Sequence, residues 1–262
     1  MEQMQTKYPI VLVHGIALKE LKIIKSFGRI GKTLREAGYT VYSANTDGFG
    51  SIENNAAQLK KQIEEILQKE CTDKVNIIAH SKGGLDSKYL INNLGMACAV
   101  ASLTTLSTPH RGSRIASKIY SYPRWITRFI AFWINLWYRI FGDKHPDALT
   151  VCKQLQLTEN DELEILNVPD GVYCQSYSAT MKRSRDDFLM FIPLYFSHRW
   201  GEGATDGLVS VESAKYAEYR GDCLDESLSH SEIVGFSLKK KKRRKVYNFY
   251  LALCRELAER GF

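Results

Sequence analysis

Short apolar, β-branched runs alternate with longer amphipathic segments over the first third of the chain. Ile10 to Val13 reads as a buried strand ending in His14-Gly15, Lys25 to Gly38 as a helix closed by its glycine, and Thr40 to Ala44 as a second strand. Ser51 to Cys71 sets Ile52, Ala56, Leu59, Ile63, Ile66 and Leu67 near helical spacing, an amphipathic helix. Val75 to Ala79 is a third strand, Gly84 to Leu94 a helix, and Val100 to Leu106 a fourth strand. Such β-α-β alternation implies a mostly parallel central sheet with helices on both faces. Chemistry in that architecture sits in the loops at the carboxyl ends of the strands.

From about 113 to 168 the alternation stops, and Tyr120, Tyr122, Trp125, Phe129, Phe132, Trp133, Trp137, Tyr138 and Phe141 crowd together. The stretch from Trp125 to Phe141 is too short for a membrane span, and Arg128, Asn135 and Arg139 would be costly in hydrocarbon. It reads as a helical cap, or lid, inserted over the strand ends of one domain covering 1–262, so no transmembrane segment is expected. Gly171 to Thr180 resumes as a strand, and the region from Asp206-Gly-Leu-Val-Ser210 to Ser231 reads as turn and loop. The final helix is expected from Val246 to Arg260, with the basic run from Lys239 to Lys245 as a solvated loop before it.

Composition narrows the class without deciding it. Apolar content of 44% and charged content of 25% suit a globular domain with a substantial core. A net charge of +7 without aromatic-interleaved basic patterning gives no reason to expect a nucleic-acid partner. Six scattered cysteines, with no CxxC pair, suggest reduced and mostly buried thiols rather than a disulfide framework. No secretory signal is recognisable before the first strand, which fits a cytoplasmic protein or the mature form of a secreted one.

The candidate chemistry lies at Ala79-His80-Ser81-Lys82-Gly83-Gly84, where a strand breaks off at a serine and a helix follows at once. A serine on a strained strand-to-helix turn needs small residues two before and two after it, here Ala79 and Gly83. A serine also needs a histidine base and a carboxylate to orient that base. In the α/β-hydrolase fold the order is serine, acid, then a late histidine. Of six histidines, His230 fits that slot; His80 adjoins the serine and is expected to point away from it. Asp206 is the best acid, with Asp186, Asp187, Asp222 and Asp225 as alternatives. Oxyanion donors are expected from the backbone N–H groups of Lys82 and Ile16.

Tyr8-Pro-Ile-Val-Leu-Val-His-Gly15, the Ala79–Tyr89 block, Ser107-Thr-Pro-His-Arg-Gly-Ser113 and Thr205-Asp-Gly-Leu-Val-Ser210 together resemble the Pseudomonas-type bacterial triacylglycerol lipases. The resemblance implies an α/β-hydrolase fold with Ser81 as nucleophile, Asp206 as acid, His230 as base, and Ile16 and Lys82 at the oxyanion. It also implies a lipid or ester substrate, met at a lipid–water interface. Many members hold a structural calcium beside the histidine, with a carboxylate two residues after it. Glu232 has that spacing, but no second carboxylate is identifiable, so neither cofactor nor metal is expected. Two other readings use the same residues or fold: acyl transfer by the same triad, and a non-catalytic module that binds a hydrophobic ligand.

Overall fold

The computed structural model describes residues 5–16, 26–157, 167–183, 186–187 and 190–262. Six strands form one sheet: β1 (Ile10–Val13), β2 (Val41–Ser43), β3 (Val75–His80), β4 (Val100–Leu106), β5 (Tyr173–Ser178) and β6 (Glu218–Asp222). Their order is β2-β1-β3-β4-β5-β6, and every pairing is parallel. Side chains alternate across a strand, so β1 serves two cores at once. Ile10 and Leu12 join Ile78 and Leu106 beneath α1 (Ile30–Glu36) and the C-terminal helix, whereas Val11 and Val13 join Ile77 and Ala79 on the opposite face. That second face is covered by α2 (Ile52–Glu70) and α3 (Lys82–Asn93).

Helix α2 has the limits its sequence implies. The Ser51 hydroxyl accepts from the Asn54 amide at 3.3 Å, and Cys71 ends the helix in the left-handed region at φ 51°. Its Ala56, Leu59 and Ile63 are fully buried. Between β4 and β5 stand α4 (Arg114–Tyr120), α5 (Arg124–Ile140) and α6 (Ala148–Gln154), the helical insertion expected from the aromatic-rich segment. It is tied to the β2–α2 loop by two aspartates that clasp each other's backbone. Asp47 accepts from the amides of Lys144 and His145, each at 2.9 Å, while Asp143 accepts from those of Gly48 and Phe49 at 3.0 and 2.9 Å.

Several local expectations need correction. α1 begins at Ile30 instead of Lys25, because Ser26 to Arg29 form a turn; residue 25 lies outside the described residues, as do 158–166 of the insertion. The stretch read as loop after Ser210 contains a short helix, α8 (Val211–Ala214), and strand β6, which pairs with β5 at the sheet edge. An aromatic stretch that had no assignment forms α7 (Phe191–Arg199). The basic run is not a loop: α9 (Lys240–Glu259) begins inside it, since Lys and Arg have good intrinsic helix propensity and Lys242 and Val246 are buried. All six cysteines are free thiols, but only Cys174, Cys223 and Cys254 are buried. Among the described residues no helix is long and apolar enough to cross a membrane.

Leu59 is packed on all sides between α2 and the sheet, with no exposed surface. Leu59→Ala should therefore lower unfolding free energy by about 2–5 kcal/mol in a urea titration, with an unchanged slope.

Candidate active site

Ser81 ends β3 and caps α3, and its backbone is held at φ 56°, ψ −134°, a conformation costly for any residue with a side chain. The surroundings impose it. The Ser81 amide donates to Leu106 O at 3.0 Å, and the Thr108 hydroxyl donates to Ser81 O at 2.9 Å. A Cβ on Gly83 would lie 2.4 Å from His14 O, and one on Gly84 would lie 2.1 Å from Thr108 Oγ1. Gly83 lets helix α3 start directly against the end of β1 and Gly84 lets it pass the Thr108 side chain after β4, and no larger residue would fit at either position.

The Gly15–Ile16 segment after β1 passes over this turn. A Cβ at Gly15 would be 2.6 Å from Ser81 Cβ and 3.0 Å from Lys82 N. Lys82 is the first residue of α3, where an amide has no acceptor within the helix. The Lys82 amide and the Gly15–Ile16 segment thus lie on either side of the serine. The Lys82 side chain turns inward instead, pairing with Asp86 at 2.7 Å in full burial. Burial pushes the Asp86 carboxyl up to about 6 against the pull of that ammonium.

Three residues distant in sequence meet here. His230 Nε2 lies 2.9 Å from Ser81 Oγ, and His230 Nδ1 lies 2.6 Å from Asp206 Oδ2. The contact with Asp206 requires the proton on Nδ1, leaving Nε2 as the acceptor facing the serine hydroxyl. Asp206 is fully buried at the Thr205–Ser210 turn, and its other oxygen accepts from the amides of Leu208 and Val209, both at 2.9 Å. The His230 amide donates to Asp206 O at 3.0 Å, so backbone as well as side chain fixes the pair.

The remaining histidines stand elsewhere or in support. His80 does not simply turn away from the site: its ring packs 4.5 Å from that of His230. Burial, then the neighbouring His230, holds its pKa well below the usual histidine value, so it packs as a neutral ring. His110 stacks on Tyr216 at 4.5 Å and is likewise kept neutral by burial. His14 is buried with Nδ1 donating to Gly15 O at 2.8 Å, while His198 is exposed on α7.

The loop carrying His230 has anchors that sequence reading did not assign. Asp187 accepts from the hydroxyls of Ser229 at 2.5 Å and Ser231 at 2.6 Å, holding the histidine from both sides. Glu232 accepts from Lys242 Nζ at 2.6 Å, the Ser237 hydroxyl at 2.7 Å and the Ser229 amide at 3.2 Å. The spacing of Glu232 suggested a calcium ligand. Its carboxylate is instead occupied by a buried ammonium from α9, and the described residues hold no cluster of three or more His, Cys, Asp or Glu that could bind a metal. Glu232, engaged in this way, does not fit that ion.

Above Ser81 and His230 opens a cavity of about 490 Å³, within the range of small-molecule sites. Its walls are largely aliphatic and come chiefly from the insertion, with Ile126, Ile130, Ala131 and Ile134 of α5 joined by Leu208 and Val209. The outer face of α5 is also apolar: Trp125 is 74% exposed, with Phe129, Phe132, Trp133, Trp137 and Ile140 exposed along the same helix.

Residues 9–154 match the palmitoyl protein thioesterase family. Triacylglycerol lipase 2 of Saccharomyces cerevisiae is 30% identical over 253 residues, covering 89% of this chain and 73% of that protein. The chain belongs to the lipase family of the α/β-hydrolase superfamily. Triacylglycerol lipases of Pseudarthrobacter phenanthrenivorans and Burkholderia plantarii are each 33% identical over 163 residues; the lipase-family chain covers 57% of its own length in these matches, and 50% and 45% of theirs. It therefore spans about half the length of these bacterial relatives. In fold it is similar to a metagenomic carboxyl esterase, MGS0156 (TM-score 0.75, 18% identity, 97% of this chain and 76% of that one). It is similar also to Staphylococcus hyicus lipase (TM-score 0.72, 15% identity, 99% and 97%). Lipase-family membership makes it a carboxylic ester hydrolase.

Lys242→Met would strand the Glu232 carboxylate in a site where it is nearly inaccessible. The expected cost is about 3–5 kcal/mol of stability in a denaturant titration, partly restored by adding Glu232→Gln.

Proposed function

We propose that this lipase-family chain hydrolyses esters of long apolar acyl chains through an acyl-enzyme on Ser81. The observation that carries the reading is the continuous row Ser81 Oγ, His230 and Asp206, at 2.9 and 2.6 Å, opening into an aliphatic cavity. His230 Nε2 takes the hydroxyl proton as Oγ attacks the ester carbonyl, and the imidazolium so formed is stabilised by Asp206. The amides of Ile16 and Lys82 receive the carbonyl oxygen as it becomes anionic. The imidazolium then protonates the departing alcohol. Water, deprotonated by the same nitrogen, attacks the acyl-enzyme carbonyl and releases the acid with Ser81 restored.

The insertion α4–α6 acts as a lid in this reading. It encloses the acyl chain on its inner side and offers an aromatic stripe to a lipid–water interface on its outer side. A long-chain acyl thioester, the bond named by the palmitoyl protein thioesterase family, would use the same serine and cavity. Acyl transfer would replace the attacking water with an alcohol, and product analysis with added alcohols separates it from hydrolysis.

Ser81→Ala should reduce turnover by about a millionfold, and Asp206→Asn by about ten-thousandfold, with far-UV circular dichroism unchanged. A folded Ser81→Ala protein that kept most of its esterase activity would sink the mechanism. On p-nitrophenyl esters, kcat/KM should rise from butyrate to palmitate in dispersed substrate. A strong butyrate preference without triglyceride cleavage would overturn the long-chain assignment.

A further inference from the structure

Helix α9 opens against its own electrostatics. A helix N-terminus carries partial positive charge and favours acids, yet α9 begins Lys240-Lys-Lys-Arg-Arg-Lys245 with no acidic residue in its first turn and no side-chain cap. Lys242 and Lys245 are matched by Glu232 and Glu226. Among the described residues no carboxylate pairs with Lys240, Arg243 or Arg244. Beside them, Arg29 from the turn before α1 is exposed and, among the described residues, pairs with no carboxylate either. Arg29, Lys240, Arg243 and Arg244, with the Tyr247 ring, line a cleft of about 340 Å³ whose remaining walls are Gly28 and Gly235. No acidic residue lines it. Four cations converging on one cleft repel one another and the helix end, and a bound anion would relieve both costs.

Topology sets this cleft on the Ser81 end of the molecule. Helix α1 follows the carboxyl end of β1, so its start lies at the end of the sheet that carries the Ser81 turn, and the shared cleft sets the start of α9 beside it. The insertion bearing the aromatic stripe leaves the sheet there too, after β4. Leu238, just ahead of the basic run, is 96% exposed, and Phe236 is exposed beside it. Apolar side chains interleaved with unmatched cations match a surface with an anionic skin and an apolar interior.

We infer that the cleft between α1 and α9 seats the phosphate of an anionic lipid headgroup and docks the protein on an acidic membrane surface with its Ser81 end facing the lipid. Arginine forks suit phosphate oxygens, and the first-turn amides of α9 add donors to the same anion. The inference goes beyond the proposed ester hydrolysis and does not depend on Ser81 chemistry.

The test is co-sedimentation of the full chain with phosphatidylcholine vesicles, with and without phosphatidic acid. Phosphatidic acid should strengthen partitioning, and added salt should weaken it. Arg29→Gln/Lys240→Gln/Arg244→Gln should lose on the order of a hundredfold of the acidic-vesicle binding, with each single variant losing about fivefold. Hydrolysis of soluble p-nitrophenyl butyrate should be kept, which reports an intact fold. Lys61→Gln/Lys69→Gln/Lys74→Gln removes as much charge from elsewhere and should change binding only a few fold. Ser81→Ala should bind vesicles as the unaltered chain does, so failure of the ester-hydrolysis reading and failure of this one give different results. Equal losses in the two triple variants would mean diffuse charge attraction and overturn the site. Undiminished binding by the cleft variant would overturn it too. Saturable calorimetric binding of inorganic phosphate, without preference for vesicles, would overturn the lipid assignment in favour of a free anion.

Discussion

The fit of helix α3 against the end of β1 is the constraint on which the site depends. Ser81 adopts a left-handed backbone because its amide is committed to β4 and its carbonyl to Thr108, while Gly83 abuts the carbonyls of Val13 and His14. The conformational cost, of order 1–3 kcal/mol, is met by the two cores that β1 and β3 share. Without that packing the serine would relax into an ordinary helix cap. The same closeness brings Gly15 against Ser81 Cβ and the Lys82 amide, so the turn that bears this serine also lies beside the segment that leaves β1.

The other two members of the row are placed by a different principle. Asp206 and His230 come from irregular backbone beyond β5, and hydrogen bonds from neighbouring loops substitute for helix or strand. Two amides hold the Asp206 carboxylate, Asp187 holds both serines around His230, and Glu232 ties the loop to α9. The insertion is fastened in the same manner, through the reciprocal Asp47 and Asp143 contacts at its far end. Among the described residues, carboxylates accepting from amides, hydroxyls or an ammonium recur where loops are fixed.

Sequence periodicity was most legible where burial is two-sided and local. Strand β1 is a continuous apolar run and β3 and β4 are rich in apolar and β-branched residues, all buried, and α2 has both its stripe and its caps in the chain itself, so the sequence marks their limits within a residue or two. Strand β6 was missed because Glu-Tyr-Arg-Gly-Asp lies at a sheet edge and buries little, leaving no apolar signal. The start of α9 was missed because charge was taken as a sign of solvation, although lysine and arginine are good helix formers. Ser81, His230 and Asp206 could be singled out from chain order and turn chemistry, and the structure brings them into contact. Asp187 stood only among the alternative acids and Lys242 only within a basic run: their importance lies in which loop they reach, and only tertiary contacts reveal that.

The pairing of Lys242 with Glu232 has a consequence for how the His230 loop is kept in order. The positive charge bracing that loop is covalently part of the polypeptide, so it is supplied one-to-one whenever the chain folds. It cannot be diluted away, sequestered or exchanged for a competitor, and its arrival needs no diffusion. Assembly of the loop is thereby coupled to docking of α9, and His230 is held in its place only when that helix has packed.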